Sequence, residues 1–310
     1  MSTRASTGPR RTVRALLALG IAKFEAADIS YGHGTTNALD EAAWLILHAL
    51  GLPPGELAAH LDTPVPQERH RAAVDLLDRR VRTRKPAAYL LREAWLGPCR
   101  FYVDERVIVP RSFIAELFTP KSATPKSGTP KRGQVTFLPG WSPISVLDLC
   151  TGSGCLAIVA ALQFPRARVD AADLSEDALA VARRNVATYR LEARVRLLRS
   201  DLFGSLRGRA YDLIVSNPPY VKAAAMRRLP PEYRAEPEMA LASGADGLDH
   251  TRAILAQARS HLNPGGLLVV EIGHNRKALE KAFPKLAFRW PRTSAGAGYV
   301  FTLTRESLPR

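Results

Sequence analysis

The chain has 310 residues, 46% of them hydrophobic and 24% charged, with a formal net charge of +15. That length suits a catalytic domain of ordinary size with a smaller partner domain, and the composition is that of a globular protein rather than a disordered or fibrous one. The longest early apolar run, Ala15 to Ala22, meets Lys23 too soon for a membrane span and has no small-residue cleavage site after it, which also speaks against a secretory signal.

The charge excess points to an acidic partner, of which nucleic acid or a ribonucleoprotein is the usual one, although charge serves solubility equally well. No aromatic-basic RNA-binding signature accompanies it. Cys99, Cys150 and Cys155 are too few for a disulfide framework and wrongly spaced for zinc, which fits a reducing, cytoplasmic compartment. Cys150 and Cys155 read as small residues beside a tight loop.

Residues 1–12 read as a basic tail. Arg, Ser and Thr dominate the chain before its first acid, Glu25; an organellar transit peptide has such a composition too, but a loose tail running into a first helix is the simpler reading. Residues 13–93 read as a helical domain. Asn37 is placed to cap a helix with Asp40 and Glu41 in its first turn, followed by Trp44, Leu45, Leu47 and His48, and Gly51 and Pro53-Pro54 end it. Val74, Leu77 and Val81 recur at helical spacing up to Pro86. From Trp95 the period changes. Phe101, Val103, Val107 and Val109 alternate imperfectly with Arg100, Tyr102, Asp104 and Ile108, and Gly97-Pro98 supplies a turn, so residues 94–118 read as a hairpin joining two domains.

Residues 119–143 repeat Thr-Pro-Lys at Thr119–Lys121, Thr124–Lys126 and Thr129–Lys131 and hold few large apolar side chains. A flexible basic insertion is expected there, as a tolerated loop expansion in preference to an RNA-touching arm. Over residues 144–310 strands and helices alternate. The strands are expected at Ser145–Leu149, Arg168–Ala172, Arg194–Leu198, Leu213–Ser216, Leu267–Ile272 and Tyr299–Thr304. This alternation predicts an α/β fold with a mostly parallel, doubly wound sheet.

The first of these strands runs into Asp148, Leu149, Cys150, Thr151, Gly152, Ser153 and Gly154, and a helix follows over Leu156–Phe164. Glycines serve where a backbone turns tightly and approaches a ligand closely, and the carboxyl end of a strand is where doubly wound folds bind ligands. The loop lacks the G-x-G-x-x-G spacing of dinucleotide enzymes. Asp173 ends the second strand and is a candidate for accepting ribose hydroxyls, or a helix N-terminal acid. Asp201 follows the third strand and can reach the adenine side, or can serve as a turn or cap residue.

After the fourth strand comes Asn217-Pro218-Pro219-Tyr220. The two prolines make a rigid turn with few backbone donors. An amide nitrogen is a poor nucleophile, because its lone pair is delocalised into the carbonyl. The Asn217 side-chain carbonyl and the Pro218 backbone carbonyl are suited to accept its two N–H groups, and Tyr220 can stack on the planar group. Holding the nitrogen in line with a sulfonium methyl then supplies much of the rate. The motif predicts amino methylation but leaves protein amides and adenine amines both open. His33, His250 and His274 are read as surface or structural, and their spacing gives no metal site. Glu271-Ile272-Gly273 ends a strand and is a candidate border of the cofactor pocket, not counted among the site residues.

Asp148 to Gly154, Asp173, Ser200-Asp201-Leu202-Phe203 and Asn217 to Tyr220, with Arg106 to Ser112 at the domain junction, make the chain resemble the HemK-like protein-glutamine methyltransferases from about residue 13 onward. Tyr31–Thr35, Phe101–Arg106 and Leu229–Pro237 are similar to the PrmB branch, whose members modify large-subunit ribosomal protein three. Ser112–Glu116 stands where the release-factor branch carries an acidic Pro-Glu-Thr-Glu stretch, and Cys150 stands where the commoner cofactor loop has its first glycine.

The resemblance implies a class I S-adenosylmethionine methyltransferase, with a Rossmann-like seven-stranded sheet and a smaller N-terminal helical domain for substrate recognition. It implies that Asp148, Cys150, Thr151, Gly152, Ser153, Gly154, Asp173, Asp201, Leu202 and Asn217 surround S-adenosyl-L-methionine, while Asn217, Pro218, Pro219 and Tyr220 hold the glutamine. The expected partner is a ribosomal protein or a ribosome assembly intermediate, with the basic surface as a candidate rRNA contact and no membrane. Release-factor methylation, adenine-amino methylation of RNA or DNA, and a non-catalytic assembly protein are the alternatives.

Overall fold

A computed structural model describes residues 11–118 and 142–309. Apart from their last two residues, the expected basic tail and the expected basic insertion lie outside this range. The chain divides into two compact units, Met1–Glu93 with Pro230–Ala235, and Ala94–Leu229 with Glu236–Arg310.

The first unit holds α1 (Val13–Ala26), α2 (Ala38–Leu50), α3 (Leu57–His60), α4 (Gln67–Thr83) and α5 (Ala87–Leu91). They bury Leu16, Phe24, Leu45, Ile46 and Leu77. Capping chemistry sets the ends of α2: the Asn37 side chain accepts the Asp40 N–H at 2.9 Å, and Gly51 closes the helix in the left-handed region.

Pro230–Ala235 is a return of the chain into this unit that periodicity in the sequence does not announce. It brings Glu232 into the interior, where Ser30 N–H donates to it at 3.2 Å, Arg84 Nε lies at 2.8 Å and Arg80 at 3.5 Å. Arg80 is fully buried and also pairs with Glu41, which accepts the Thr35 hydroxyl. Two arginines against two carboxylates leave little net charge, the condition under which an interior tolerates them. Tyr233 packs on the buried His33 with ring centres 4.3 Å apart, a structural place for that histidine.

The second unit opens with β1 (Ala94–Leu96) and β2 (Cys99–Phe101), an antiparallel hairpin about Gly97-Pro98. Pairing stops at Phe101, short of the Val109 that the alternation suggested. Val103, Val107 and Val109 are buried as an alternating pattern requires, but side chains take the place of a partner strand. Tyr102 N–H donates to Asn185 and Val109 N–H to Glu236. A short α6 (Ile114–Phe118) follows.

The remaining elements are β3 (Ser145–Leu149), α7 (Cys155–Gln163), β4 (Arg168–Asp173), α8 (Glu176–Thr188), β5 (Val195–Arg199), β6 (Tyr211–Ser216), α9 (Ala223–Met226), α10 (Asp249–Gln257), β7 (Leu262–Glu271), α11 (Arg276–Ala282), β8 (Arg292–Thr293), β9 (Gly296–Ala297) and β10 (Val300–Thr304). The sheet order is β5-β4-β3-β6-β7-β10, parallel throughout except for β10 against β7. Both faces are covered. Val146, Leu213, Val215 and Val269 face Leu156 and Ile158 of α7, whereas Leu147, Leu149, Ile214 and Leu268 face Ile254 of α10 and Leu279 of α11. Burial on both faces is why these strands read as continuous apolar runs.

Six strands are paired in this sheet among the described residues, where the resemblance implies seven. The place beyond β10 is a single antiparallel bridge, Arg289 to Thr302, closed by backbone bonds of 3.1 and 2.8 Å. Toward the start of β10 the next donor needed along that edge is residue 291, a proline with no N–H, so the ladder cannot lengthen in that direction.

Candidate active site

β3 has β4 on one side and β6 on the other, so the strand order reverses there, and such a reversal opens a crevice at the carboxyl ends of the strands. The loops after β3 and β6 leave side by side, tied by the Ser216 hydroxyl, which donates to the Leu149 carbonyl at 2.9 Å. A solvent-open cleft lies at this point, lined by Cys150, Gly152, Asp173, Asp201, Leu202, Asn217 and Pro219 among others.

Asp148, expected at the cofactor, does not line the cleft. It lies fully buried beneath the loop, where one carboxylate oxygen accepts from the Thr151 hydroxyl at 2.6 Å and from Ala157 N–H at 2.9 Å, pinning the loop to the start of α7. Its other oxygen has no partner, and burial pushes the carboxyl up to about 7. Thr151 and Ser153 are buried with it, so Cys150 and Gly152 are the loop residues that line the cleft. Cys150 has φ of 58°, the left-handed region, which is why the commoner loop places glycine at that point. Gly152 has φ of 54°, and a Cβ built there meets nothing within 4 Å, so this stretch of backbone lies bare.

Asp173 closes the opposite side of the loop. Its carboxylate accepts Gly152 N–H at 2.8 Å and Ser175 N–H at 2.9 Å, and burial raises its pKa. Each oxygen keeps a lone pair for a further donor such as a ribose hydroxyl. Asp201 and Leu202 lie beyond it; Leu202 is held at φ of 44° with its carbonyl accepting the Ser200 hydroxyl at 2.7 Å.

In the motif after β6, Asn217 lines the cleft and its Oδ1 is buried with no hydrogen-bond partner. A lone amide oxygen in that state is costly unless a ligand satisfies it. Pro218 is buried and Pro219 lines the cleft, while Tyr220 is half-buried and does not line it. The Tyr220 carbonyl accepts from Asn275 Nδ2 at 2.7 Å, and a Cβ on Gly273 would stand 2.7 Å from the Tyr220 ring.

One wall of the cleft comes from a segment that sequence reasoning assigned only to a domain junction. Arg106, Val107 and Ile108 line it. Asp104 organises this stretch: Arg106 grips its carboxylate through two bonds of 2.9 and 2.7 Å, Tyr102 OH adds a third at 2.9 Å, and the Arg106 bonds hold the carboxyl down at about 2. Asn185 ties the stretch to the cofactor loop by donating to both the Tyr102 and Ser153 carbonyls. Further along, Arg111 makes a two-pronged pair with the buried Glu236 at 2.5 and 2.7 Å. Ser112 and Phe113 donate to the buried Glu271, whose carboxyl burial pushes up to about 7.

His250, read from the sequence as surface or structural, lines the cleft with Nδ1 2.9 Å from the Ser243 hydroxyl, and burial lowers its pKa. Met239 and Ala240 line it as well. These residues sit outside any compact motif. The Leu229–Pro237 run that resembles one branch ends just before them and contributes Pro237 to the same lining.

Residues 15–91 match the PrmC N-terminal domain, and residues 136–229 match the methyltransferase small domain. A Neisseria meningitidis protein named ribosomal protein uL3 glutamine methyltransferase is 52% identical over 96% of this chain and 94% of its own. Proteins of the same name from Bordetella pertussis and Burkholderia pseudomallei are 51% and 49% identical, over 96% and 98% of either chain. The loop after β3, the turn after β6 and this likeness along almost the whole chain agree: the chain belongs to the family of the ribosomal protein uL3 glutamine methyltransferases.

Proposed function

We propose that this protein methylates the side-chain amide nitrogen of a glutamine in ribosomal protein uL3, with S-adenosyl-L-methionine as methyl donor. The observation that carries the reading is the buried, unpartnered Oδ1 of Asn217 at the cleft. An acceptor there needs an N–H donor, which a primary amide brings. Support for the protein substrate comes from the relatives, each named for glutamine in uL3 and not for a release factor or a nucleic acid.

Bound in the cleft, S-adenosyl-L-methionine supplies a methyl carbon made electrophilic by a positive sulfur. Gly152, with its bare backbone, and Asp173, with spare lone pairs, are the residues suited to hold it. Asn217 Oδ1 and the Pro218 carbonyl accept the two amide N–H groups and so fix the nitrogen, and Tyr220, at the end of the same turn and outside the cleft lining, is the ring to stack on the flat amide group. Forming the nitrogen–carbon bond breaks the carbon–sulfur bond, whose electron pair stays on sulfur, and the nitrogen then gives up one proton to water. Positioning is the main contribution of the protein, since bringing the reactants into register replaces most of the entropy cost of the encounter. No carboxylate is required as a base.

A ribosomal protein is assembled in the cytoplasm, which sets the expected place of action. Purified protein is incubated with methyl-labelled donor and either uL3 or large-subunit particles lacking the modification, with Asn217→Ala in parallel. Label on a glutamine of uL3 that disappears with Asn217→Ala supports the reading; label on RNA adenine, or only on an added release factor, overturns it.

A further inference from the structure

We propose that the exposed cationic surface formed by α11 and the stretch after it docks the RNA backbone of the particle whose protein is methylated. The proposal rests on the ribosomal-protein reading above and assigns it a second contact, away from the reacting atoms. From Arg276 to Arg292 the chain carries six basic residues and Glu280 as its single acid, but the pairing within this set is uneven. Arg276 takes Glu280 at 3.0 Å and lies over the Trp290 ring at 4.6 Å. Lys277, Lys281, Lys285, Arg289 and Arg292 are all exposed. Among the described residues none of these five has a side-chain hydrogen bond or an ion pair.

Lys277 and Lys281 are four apart in α11, hence on one face, and lie opposite Leu279, which is buried in the core. Arg289 stands on the bridge to Thr302 at the outer edge of the sheet. Like charges collected without counterions repel one another, so such a face is poised for a polyanion. RNA phosphate is the polyanion that accompanies a ribosomal protein. The position fits as well: Asn275, which immediately precedes α11, holds the Tyr220 carbonyl with its side chain, so the cationic face starts beside the turn proposed to hold the glutamine. A ribosomal protein that is itself basic gains nothing from this face directly, whereas its RNA does.

The test compares wild type with Lys277→Glu/Lys281→Glu/Lys285→Glu and with an equal charge reversal elsewhere, at the exposed Arg166, Arg183 and Arg207. The probe is a fluorescent large-subunit rRNA transcript titrated at several salt concentrations, with polyglutamate as competitor. The triple lysine variant is expected to lose roughly tenfold or more in RNA affinity, and its salt slope to become shallower by about two, as removal of phosphate contacts requires. It is also expected to methylate free uL3 as wild type does but ribonucleoprotein particles at least several-fold more slowly. Unchanged RNA affinity, an equal loss in the arginine control, or displacement by polyglutamate at concentrations below those of RNA would overturn the proposal, the last in favour of an acidic protein partner. If wild type methylates neither form of uL3, the functional reading fails, and the RNA titration still decides the docking surface.

Discussion

Asn275 Nδ2 donates to the Tyr220 carbonyl at 2.7 Å, so the reactive turn after β6 is held from the start of α11. Removing that donor leaves the turn's backbone without its partner while touching neither substrate nor donor. Asn275→Ala is expected to lower kcat about tenfold with little change in cofactor affinity, because a small misplacement of reacting groups is enough for such a loss. Stopped-time methylation assays with calorimetric titration of the cofactor check it. A loss confined to cofactor binding would count against the assignment.

Gly273→Ala approaches the same turn from the other side. The new methyl would stand 2.7 Å from the Tyr220 ring, at a position with φ of 55°. Crowding and backbone strain together are expected to lower stability by about 1–3 kcal/mol and to displace the ring. Thermal unfolding and the KM for uL3 give the two readouts, and a variant indistinguishable from wild type in both would refute the contact.

Asp173 and Asn217 are expected to separate two functions. Asp173→Ala should weaken cofactor binding by roughly tenfold or more, the loss of charge-assisted hydrogen bonds. Asn217→Ala should leave cofactor affinity within a few-fold and lower methyl transfer by about a hundredfold or more. Equilibrium dialysis of labelled cofactor, followed by rate measurements under saturation, distinguishes the two patterns.

The pH dependence of stability follows from three carboxyls. Burial pushes Asp148 and Glu271 up to about 7. Between about pH 4 and 7 the folded protein therefore keeps protons that the unfolded chain has released, so stability falls as pH rises through that window, by up to ~1.4 kcal/mol per pH unit for each group. Asp104, held down at about 2, acts in the opposite sense, adding stability that is lost as pH falls below about 4. Asp148→Asn should flatten the fall between pH 5 and 7 in urea unfolding; identical slopes in wild type and variant would rule out a buried, protonated Asp148.

Glu232→Ala leaves Arg80 and Arg84 with one buried carboxylate between them. Breaking a buried pair from one side typically costs about 3–5 kcal/mol. The melting temperature of the full chain should fall accordingly, whereas Glu238→Ala, outside this cluster, should not move it.

The strands were legible because burial on both faces writes them as apolar runs, and the loops because glycines at a strand's end and a proline pair are hard to mistake; that Cys150 takes a left-handed φ was not written in its residue type. Asp148 was misplaced for a reason of geometry. Spacing puts it on the loop, but whether a carboxylate points up to a ligand or down to Thr151 and Ala157 is decided by packing. His250, Met239 and Arg106 were missed because three separate segments bring them together, and no local pattern records a meeting of that kind. The hairpin was extended too far since alternation reports burial, and at Val103 to Val109 burial comes with side-chain acceptors in place of a strand.

The return of Pro230–Ala235 into the helical unit bears on how this protein can be inherited or cut. A fragment ending at residue 93 would carry Arg80, Arg84 and His33 but leave behind Glu232, the partner of the two arginines, and Tyr233, which packs on the histidine. A methyltransferase fragment starting at residue 94 would in turn expose Glu232 with no arginine to meet it. Neither half is a module that recombination can transplant alone, so the helical unit and the loop that follows the reactive turn are bound to evolve as a pair.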